Sequence, residues 1–329
     1  MSARAAAQRL ASPRTVSPLA HESAAEITGV DCSRPLGGEL AGEIGELFLT
    51  YPILVFRDQP LTGPQFAAFA ENFGELESFG DPPPLPKPDE SILRPDTPFL
   101  PERKGRTAPN FCVYYHPDDP RVQFITNEER RDMPLMGIQD NAEKWHSDAQ
   151  YRLHPNKITL LNTLIPPSSG GQTVYADLTL LFEALPQLTQ NLLKACRAVH
   201  QWSKSRNFLF VDLLDPAARE EGDRIAALVP SMRHPLVRRH PDTGRPILFV
   251  SPRFTIAIDG LESAASEMLL REMFALMDDP RFVYSHSWRK NDIVMWDNRR
   301  VVHHGCAFPQ TDIRHFNSIT LCGEQPLAM

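Results

Sequence analysis

The four residues Trp145-His146-Ser147-Asp148 are the most informative stretch of this 329-residue chain. In an extended strand the side chains at positions i and i+2 lie on the same side, so His146 and Asp148 can reach one metal ion together. An imidazole and a carboxylate at this spacing also occur by chance, as a hydrogen-bonded surface pair. The stretch alone therefore indicates either half of a metal site or an ordinary polar pair.

Residues 292–303 (DIVMWDNRRVVH) supply a candidate for the missing ligand. A buried strand, Asp292–Trp296, runs into a turn that ends at His303. Two histidines and one carboxylate form the facial triad typical of O₂-activating non-haem Fe(II) sites, which keep coordination positions open. Arg314 follows at the start of a further strand, Phe316–Leu321. A guanidinium there suits a dicarboxylate cosubstrate, because it can bind one carboxylate bidentately while the other end of the molecule chelates the metal.

Together with residues 166–173 (PPSSGGQT), these stretches resemble the TauD/TfdA family of Fe(II)/2-oxoglutarate enzymes, which includes taurine and 2,4-dichlorophenoxyacetate dioxygenases. The resemblance covers roughly residues 24–323, with the motifs in the family's order. It implies a mononuclear Fe(II) dioxygenase that consumes 2-oxoglutarate and O₂, releases succinate and CO₂, and most often hydroxylates a small organic molecule. Desaturation or cyclisation in a biosynthetic pathway is the alternative outcome of the same cofactor chemistry.

The family's pattern implies that the iron ligands are His146, Asp148 and His303, with no catalytic residue beyond this metal centre. His304 competes with His303, but adjacent residues of an extended chain point to opposite sides, so only one of them can ligate. The family places its histidine six residues after the aspartate of its W-D-N-R stretch, here Asp297, and this selects His303. We expect Asp297, Asn298 and Arg299 to tie the turn that presents it.

The resemblance also implies that Arg314 and Thr173 bind the distal carboxylate of 2-oxoglutarate. The candidate substrate contacts are Asn127, Phe208 and Ser318. Ser318 stands four residues after Arg314, where members that oxidise sulfonates and aryloxyacetates carry a second arginine, and a neutral hydroxyl cannot replace that counter-charge. We therefore expect either a substrate that is not a small anion, or an anion bound by another cation: Arg103, Lys104, Arg106, Arg206 or Arg253.

The fold class that we predict is α+β, with a double-stranded β-helix (jelly-roll) core, flanking helices and a long Pro-rich active-site flap. The flap is inserted at about residues 80–121, because Pro82–Pro120 holds eleven of the 31 prolines and should form neither a regular helix nor a central strand. Short apolar runs bounded by Gly, Pro and polar residues predict the strands Ala25–Val30, Ile53–Phe56, Val122–Thr126, Ile158–Leu164, Thr173–Tyr175, Ile247–Val250 and Phe254–Ile258, and Ile53–Phe56 should be buried. Helical spacing predicts helices at Leu40–Thr50, from Thr62 to Gly74, and at Thr179–Leu185, Leu188–Val199, Asp215–Ala227 and Glu262–Met277.

We expect residues 1–23 to form a disordered or loosely packed N-terminal arm, although their composition faintly resembles a transit peptide. Residues 24–329 should then form a single dioxygenase-like domain. The net charge of −7 argues against a nucleic-acid partner, and the basic segment Arg233–Arg245 is broken by prolines and predicts a strand–turn–strand on the surface. No run approaches the roughly 18 apolar residues of a membrane span.

Five scattered cysteines favour a reducing, cytoplasmic location over a disulfide scaffold. The expected partner is a small-molecule substrate, and the resemblance implies a homo-oligomer, a dimer or a tetramer. Two rival interpretations remain. One is a non-catalytic jelly-roll protein that binds a ligand, and the other is a jelly-roll enzyme with a different divalent metal and no 2-oxoglutarate.

Overall fold

Strands dominate the part of the chain that the structure describes. It is a computed structural model, and it describes residues 14–19, 23–80, 111–128, 130, 132–139, 144–202 and 230–329. Some predictions fall outside these residues and are not addressed below: the helix Asp215–Ala227, Phe208, residues 81–110 of the flap, and the cations Arg103, Lys104, Arg106 and Arg206. Within the described ranges, no helix combines the length and the apolar character that crossing a membrane requires.

Nine strands form one large sheet. In their order across the sheet they are β1 (Thr15–Pro18), β2 (Ala24–Thr28), β3 (Ile53–Phe56), β15 (Ile293–Asp297), β7 (Ile158–Ile165), β17 (His315–Leu321), β5 (Gln123–Thr126), β4 (Phe111–Tyr115) and β6 (Leu135–Gln139). A second sheet has the order β14-β8-β16, namely Val283–His286, Thr173–Asp177 and Val301–Gly305. Two further three-stranded sheets contain β10-β9-β13 (Met232–Pro235, Arg197–His200, Thr255–Ile258) and β12-β11-β18 (Pro246–Leu248, Val237–Arg239, Leu327–Ala328).

Five α-helices accompany these sheets in the described residues: α1 Gly38–Thr50, α2 Gly63–Ala70, α3 Leu178–Glu183, α4 Gln187–Lys194 and α5 Ser263–Ala275. The predicted start of α2 at Thr62 is confirmed. The Thr62 hydroxyl accepts from the Gln65 backbone N–H, while the Gln65 side chain accepts from the Thr62 backbone N–H. This reciprocal capping box satisfies two donors that the first helical turn would otherwise leave unpaired.

The large sheet is buried on both faces at its central strands β3 and β15, as the continuous apolar sequence of β3 requires, whereas the edge strand β1 is exposed. Leu54 and Phe56 pack with α1 and α2 on one face, in a core that Ile293 and Met295 complete. Ile53 and Val55 point the other way. They pack against Tyr175, Tyr284, Val294, Trp296, Val301 and Phe316, and this cluster joins the large sheet to the β14-β8-β16 sheet.

The outer face of the β14-β8-β16 sheet carries helices. Ala176 and Val302 pack there with Phe182 of α3 and Leu270 of α5. The result is a mixed α+β fold of two facing sheets with helices outside them, and the space between the sheets is where candidate site residues meet.

Two predictions of local structure are wrong. Phe111–Tyr115 lies in the Pro-rich stretch but forms β4, between β5 and β6 inside the large sheet. Its sequence FCVYY has no proline and is rich in strand-forming side chains, so only its flanks obey the proline argument. The helix predicted at Leu188–Val199 ends at Lys194, and Arg197–His200 forms β9 instead, where Ala198 and Val199 are buried. Tertiary burial outweighs the helical spacing there.

The basic segment 233–245 contains the end of β10, the strand β11 and a turn that leads to β12, and its predicted surface location is wrong for Arg238, whereas Arg233 and Arg239 are exposed. The Arg238 guanidinium is buried, lies 3.8 Å from the centre of the Phe249 ring, and donates to the Asn298 and Arg299 carbonyls. At the N-terminus, Thr15–Pro18 pairs antiparallel with Ala24–Thr28, so part of the expected arm joins the large sheet. The division of the chain at residue 23 stays a prediction.

Candidate metal centre

His146 and His303 face each other across an isolated antiparallel bridge. The His146 N–H donates to the His303 carbonyl at 3.0 Å, and the His303 N–H donates to the His146 carbonyl at 2.8 Å. Their ring centroids are 4.2 Å apart. The two segments that the sequence analysis singled out are therefore joined directly, with both imidazoles on the same side of the bridge.

The Asp148 carboxylate completes the group. Its Oδ1 lies 3.8 Å from His146 Nε2 and 3.7 Å from His303 Nε2, and one donor atom from each residue lies within 4.8 Å of the others. Bonds of about 2.0–2.1 Å to a metal would place neighbouring ligands about 3 Å apart, so small side-chain rotations bring all three onto one ion. Two imidazoles and one carboxylate on one side of an ion are the donor set of a non-haem Fe(II) centre.

The protonation of the histidines fits this use. Burial holds the pKa of His146 well below its usual value, and burial also lowers the pKa of His303. Both imidazoles are therefore neutral near pH 7, as a metal ligand requires. His146 Nδ1 lies 2.9 Å from the Lys144 carbonyl. A proton on Nδ1 donates to that oxygen and leaves the Nε2 lone pair directed at the site.

Thr159 on β7 holds the carboxylate, and the sequence analysis did not single it out. Its hydroxyl donates to Asp148 Oδ2 at 2.6 Å and accepts from Asn298 Nδ2 at 2.7 Å. Asn298 Oδ1 in turn accepts from the Trp296 indole at 2.9 Å. The only sequence signal was that Thr159 is one of three polar residues, with Asn162 and Thr163, in a mostly apolar strand, because the partner segments are far apart in the chain.

We expect Thr159→Val to weaken metal binding about 10- to 100-fold, since partners that orient a ligand carry that share of the affinity. Valine keeps the shape of threonine and removes only the donor to Asp148. Equilibrium titration with Fe(II) or Mn(II) measures the change. Thr320→Val is the matched control, because Thr320 pairs with Thr159 across the sheet but donates to Glu77 instead. Equal affinity losses in the two variants would contradict this role for Thr159.

The turn between β15 and β16 is tied as expected. Arg299 forms a buried bidentate pair with Asp297, whose other partner is His240 Nε2 at 3.0 Å. Arg238 secures the same turn from outside through the Asn298 and Arg299 carbonyls. His303 is therefore presented by a rigid, fully bonded turn.

His304 points away from the triad. Its ring lies edge-on to the Trp145 indole, with centroids 4.3 Å apart, and its Nδ1 is near the Gly305 carbonyl. The Trp145 indole itself donates to Asp278 at 2.9 Å. The opposite orientation of neighbouring strand residues thus separates a cavity-facing His303 from a packing His304.

One cavity of about 270 Å³ contains the triad together with Arg314 and Thr173. The Arg314 guanidinium is buried, lies 4.3 Å from the centre of the Phe316 ring, and donates to the Gly171 carbonyl at 3.2 Å. Burial lowers the pKa of Arg314 to about 10, so the group remains cationic at neutral pH. The cation and the three metal-binding candidates therefore line the same cavity.

Close backbone packing beside Arg314 explains the glycine pair before Thr173. Gly170 and Gly171 have positive φ angles of 68° and 66°. A Cβ on Gly170 would lie 2.4 Å from the Ala307 carbonyl oxygen. Only glycine adopts this conformation without strain at such a close approach.

The three candidate substrate residues have different outcomes. Ser318 lines the cavity from β17, paired with Gln123 on one side and Leu161 on the other. Asn127 does not line the cavity in the described part of the chain; its amide accepts from the Arg314 N–H and donates to the Asp312 carbonyl, both at 2.8 Å. That arrangement favours a role in placing Arg314. Phe208 lies outside the described residues.

A polar cluster at the opposite end of the cavity was missed entirely. Arg152 is paired with Glu77, whose other carboxylate oxygen accepts from Asn156 at 3.2 Å and from Thr320 at 2.8 Å. All four side chains line the cavity. Arg253, suggested as a substitute counter-charge, stacks near Phe254 and is not among the described lining residues, although its charge helps to lower the pKa of both triad histidines.

Comparison with known proteins agrees with this geometry. The sequence model of the "Taurine catabolism dioxygenase TauD, TfdA family" matches residues 15–320. The chain belongs to the TauD/TfdA family. It is therefore a dioxygenase, and this excludes the non-catalytic binding protein considered above.

Among relatives in this family, the chain is 32% identical over 289 residues to the alpha-ketoglutarate-dependent 2,4-dichlorophenoxyacetate dioxygenase of Cupriavidus pinatubonensis, covering 88% of this chain and 90% of that one. It is 29% identical to the pentalenolactone F synthase of Streptomyces avermitilis, covering 64% and 71% of the two chains. A crystal structure of a taurine dioxygenase from Burkholderia xenovorans superimposes with a TM-score of 0.68 at 26% identity, covering 96% and 91%.

Proposed function

We propose that this alpha-ketoglutarate (2-oxoglutarate)-dependent dioxygenase of the TauD/TfdA family binds iron(II) through His146, Asp148 and His303. Arg314 and Thr173 bind the distal carboxylate of 2-oxoglutarate. The observation that carries the proposal is the placement of the three donor atoms within 4.8 Å of one another, in the cavity that Arg314 and Thr173 also line. A dicarboxylate pocket beside a metal has no evident use in an enzyme that lacks this cosubstrate.

We further propose that the two facing sheets form a double-stranded β-helix. The antiparallel β14-β8-β16 sheet packed on the large sheet supports this proposal. The same arrangement supports a single domain over residues 24–329, which β1 (Thr15–Pro18) joins by pairing with β2.

When bound, iron(II) and 2-oxoglutarate supply the oxidising equivalent from O₂, with succinate and CO₂ as products of the cosubstrate. The chain's own groups determine binding and orientation. Neutral His146 and His303 offer lone pairs, and Asp148 is kept as an oriented carboxylate by Thr159. Arg314 neutralises the far carboxylate, while Phe316 and Leu161 line the cavity with apolar surface.

Hydroxylation of a small organic molecule is the outcome that we favour. Ring formation or desaturation is the second candidate, since one relative, the pentalenolactone F synthase, is named for the product that it makes and not for a herbicide or sulfonate that it oxidises. Scattered cysteines, with no disulfide among the described residues, support a reducing cytoplasmic location. A homodimer or homotetramer stays a prediction.

Cosubstrate turnover tests the proposed function without knowledge of the substrate. Purified protein with Fe(II), 2-oxoglutarate and O₂ should release succinate slowly, and omission of any one component should stop the release. Asp148→Ala should abolish it, because the metal then lacks its anionic ligand. Succinate release that persists in Asp148→Ala, or is absent from a wild-type protein that binds both components, would contradict the proposal.

The uncharged side chain of Ser318 should make the enzyme bind small anionic substrates weakly. We expect taurine and 2,4-dichlorophenoxyacetate to stimulate succinate release weakly, and Ser318→Arg to improve binding of the aryloxyacetate about tenfold or more, since a hydrogen bond to a charged group contributes about 1.5–3 kcal/mol. Ser318→Gln is the uncharged control and should give no gain. Strong stimulation of the wild-type enzyme by taurine would show that another cation holds the substrate's anion.

A further inference from the structure

Trp288, which the proposed function leaves without a role, is hydrogen-bonded to the Thr173 hydroxyl. The indole Nε1 lies 3.0 Å from Thr173 Oγ1, and both residues are buried. Trp288 follows β14, and Thr173 begins β8, its neighbour in the small sheet. Trp288 itself does not line the cavity in the described chain, whereas Thr173 does.

The direction of this bond is set by chemistry. An indole N–H can only donate, so Thr173 Oγ1 must be the acceptor. The hydroxyl's own proton is then directed to a different partner. Because Thr173 faces the cavity beside Arg314, a carboxylate oxygen held by that arginine can accept this proton in competition with the neighbouring Tyr175 hydroxyl. Trp288 thus leaves the Thr173 hydroxyl as a donor before any ligand arrives.

Trp288 also supports the cationic half of the same subsite. Its ring lies edge-on to Phe316, with centroids 4.9 Å apart, and the Arg314 guanidinium lies 4.3 Å from the centre of that Phe316 ring. On its other side the indole packs on His286 at 4.6 Å, and His286 is held by Tyr284 and Asp292. The indole is therefore fixed by a buried, hydrogen-bonded cluster.

We propose that Trp288 is a positioning residue for 2-oxoglutarate, which fixes the Thr173 hydroxyl as a donor to the distal carboxylate and supports Arg314 through Phe316. This inference rests on the proposed function, since it assumes that the cosubstrate's carboxylate occupies the space beside Thr173 and Arg314. Pre-orientation of this kind raises affinity by removing the cost of ordering the hydroxyl during binding.

A double-mutant cycle tests the inference. The dissociation constant of 2-oxoglutarate is measured by anaerobic titration of the Fe(II)-loaded protein, followed by visible absorption or by calorimetry, in wild type, Trp288→Phe, Thr173→Val and the double variant. Phenylalanine keeps one aromatic ring for packing and removes the N–H together with the five-membered ring of the indole. We expect Trp288→Phe to weaken binding about 2- to 12-fold, the range of one neutral hydrogen bond. Thr173→Val should weaken it about 10-fold or more, and the double variant no further.

Two additional variants separate positioning from general packing. Tyr51→Phe removes a hydroxyl that packs against the separate core of α1 and α2, and it should leave the dissociation constant unchanged. Thr173→Ser keeps the donor and should retain most of the affinity. In turnover assays Trp288→Phe should raise the KM for 2-oxoglutarate and leave kcat nearly unchanged.

An unchanged dissociation constant in Trp288→Phe would overturn the inference. So would fold-losses that multiply in the double variant, because they would show that Trp288 acts independently of the Thr173 hydroxyl. If the wild-type protein itself bound no 2-oxoglutarate, the proposed function would fail, and this inference would fail with it. The wild-type titration therefore distinguishes the two failures.

Discussion

Replacement of His303 by alanine should lower metal affinity by more than about 100-fold and abolish cosubstrate turnover, whereas the same change at His304 should leave both nearly intact. Loss of a direct ligand must exceed the roughly 10- to 100-fold that loss of a supporting partner costs. His303 Nε2 lies 3.7 Å from the Asp148 carboxylate, while the His304 ring packs against Trp145. Metal titration followed by turnover at saturating Fe(II) measures both effects.

His304→Ala is the matched control, since His303 and His304 are adjacent histidines in the same strand, β16. Its expected effect is a modest loss of stability from the contact with Trp145, seen in thermal unfolding. If His304→Ala abolished metal binding and His303→Ala did not, the assignment of the third ligand would be reversed. If both variants lost the metal while remaining folded, the claim that only His303 faces the metal site would be contradicted.

Arg314→Gln should raise the dissociation constant of 2-oxoglutarate about 100-fold or more and leave Fe(II) affinity close to wild type. Removing one member of a buried charge pair costs about 3–5 kcal/mol, because the remaining charge is left in a poorly solvated site. Arg314 is buried beneath three aromatic rings, so water cannot readily replace it. Anaerobic titrations with Fe(II) and then with 2-oxoglutarate separate the two affinities.

Arg314→Lys should lie between glutamine and wild type, because lysine keeps the charge but loses the planar pair of donors. Arg281→Gln is the control for loss of a positive charge, since Arg281 pairs with Asp279 on the exposed surface. It should change neither affinity. Equal 2-oxoglutarate affinity in Arg314→Gln and wild type would indicate that another cation of the cavity binds the cosubstrate's carboxylate. Arg152 would be the first candidate to test.

The candidate metal ligands could be predicted from the sequence because the types of these side chains and their spacing indicate a metal site. His146 and Asp148 are two positions apart and both face His303 in the fold, although a turn begins at Asp148 and the predicted strand does not continue. Strand geometry showed only that one of His303 and His304 can ligate, and the family's spacing from Asp297 selected His303. These inferences needed no knowledge of which distant segments touch.

The groups that hold those residues in place could not be predicted in the same way. Thr159 supports Asp148, and Trp288 supports Thr173, through contacts between segments far apart in the chain. Arg238 was assigned to a basic surface, because a sequence does not reveal that its guanidinium finds two carbonyls and the Phe249 ring inside the fold. Only the three-dimensional arrangement creates these partners.

The same distinction explains the two wrong elements. In Phe111–Tyr115 the composition of the surrounding stretch outweighed the strand-forming character of five residues, yet those residues find pairing partners in β5 and β6. At Arg197–His200 a helical period was extended past Lys194, although the following residues pair with β10 and β13. Strand pairing depends on distant residues, so a single sequence shows it poorly.

Anaerobic addition of Fe(II) and then 2-oxoglutarate to the purified protein tests the central claim most directly. We predict one iron per chain and, only after 2-oxoglutarate is added, a visible metal-to-ligand charge-transfer band. That band should be absent from His303→Ala and retained in His304→Ala. In Arg314→Gln it should appear only at higher 2-oxoglutarate concentrations. A folded wild-type protein that shows no band with both ligands at saturation would contradict the assignment of the triad and of its cosubstrate pocket.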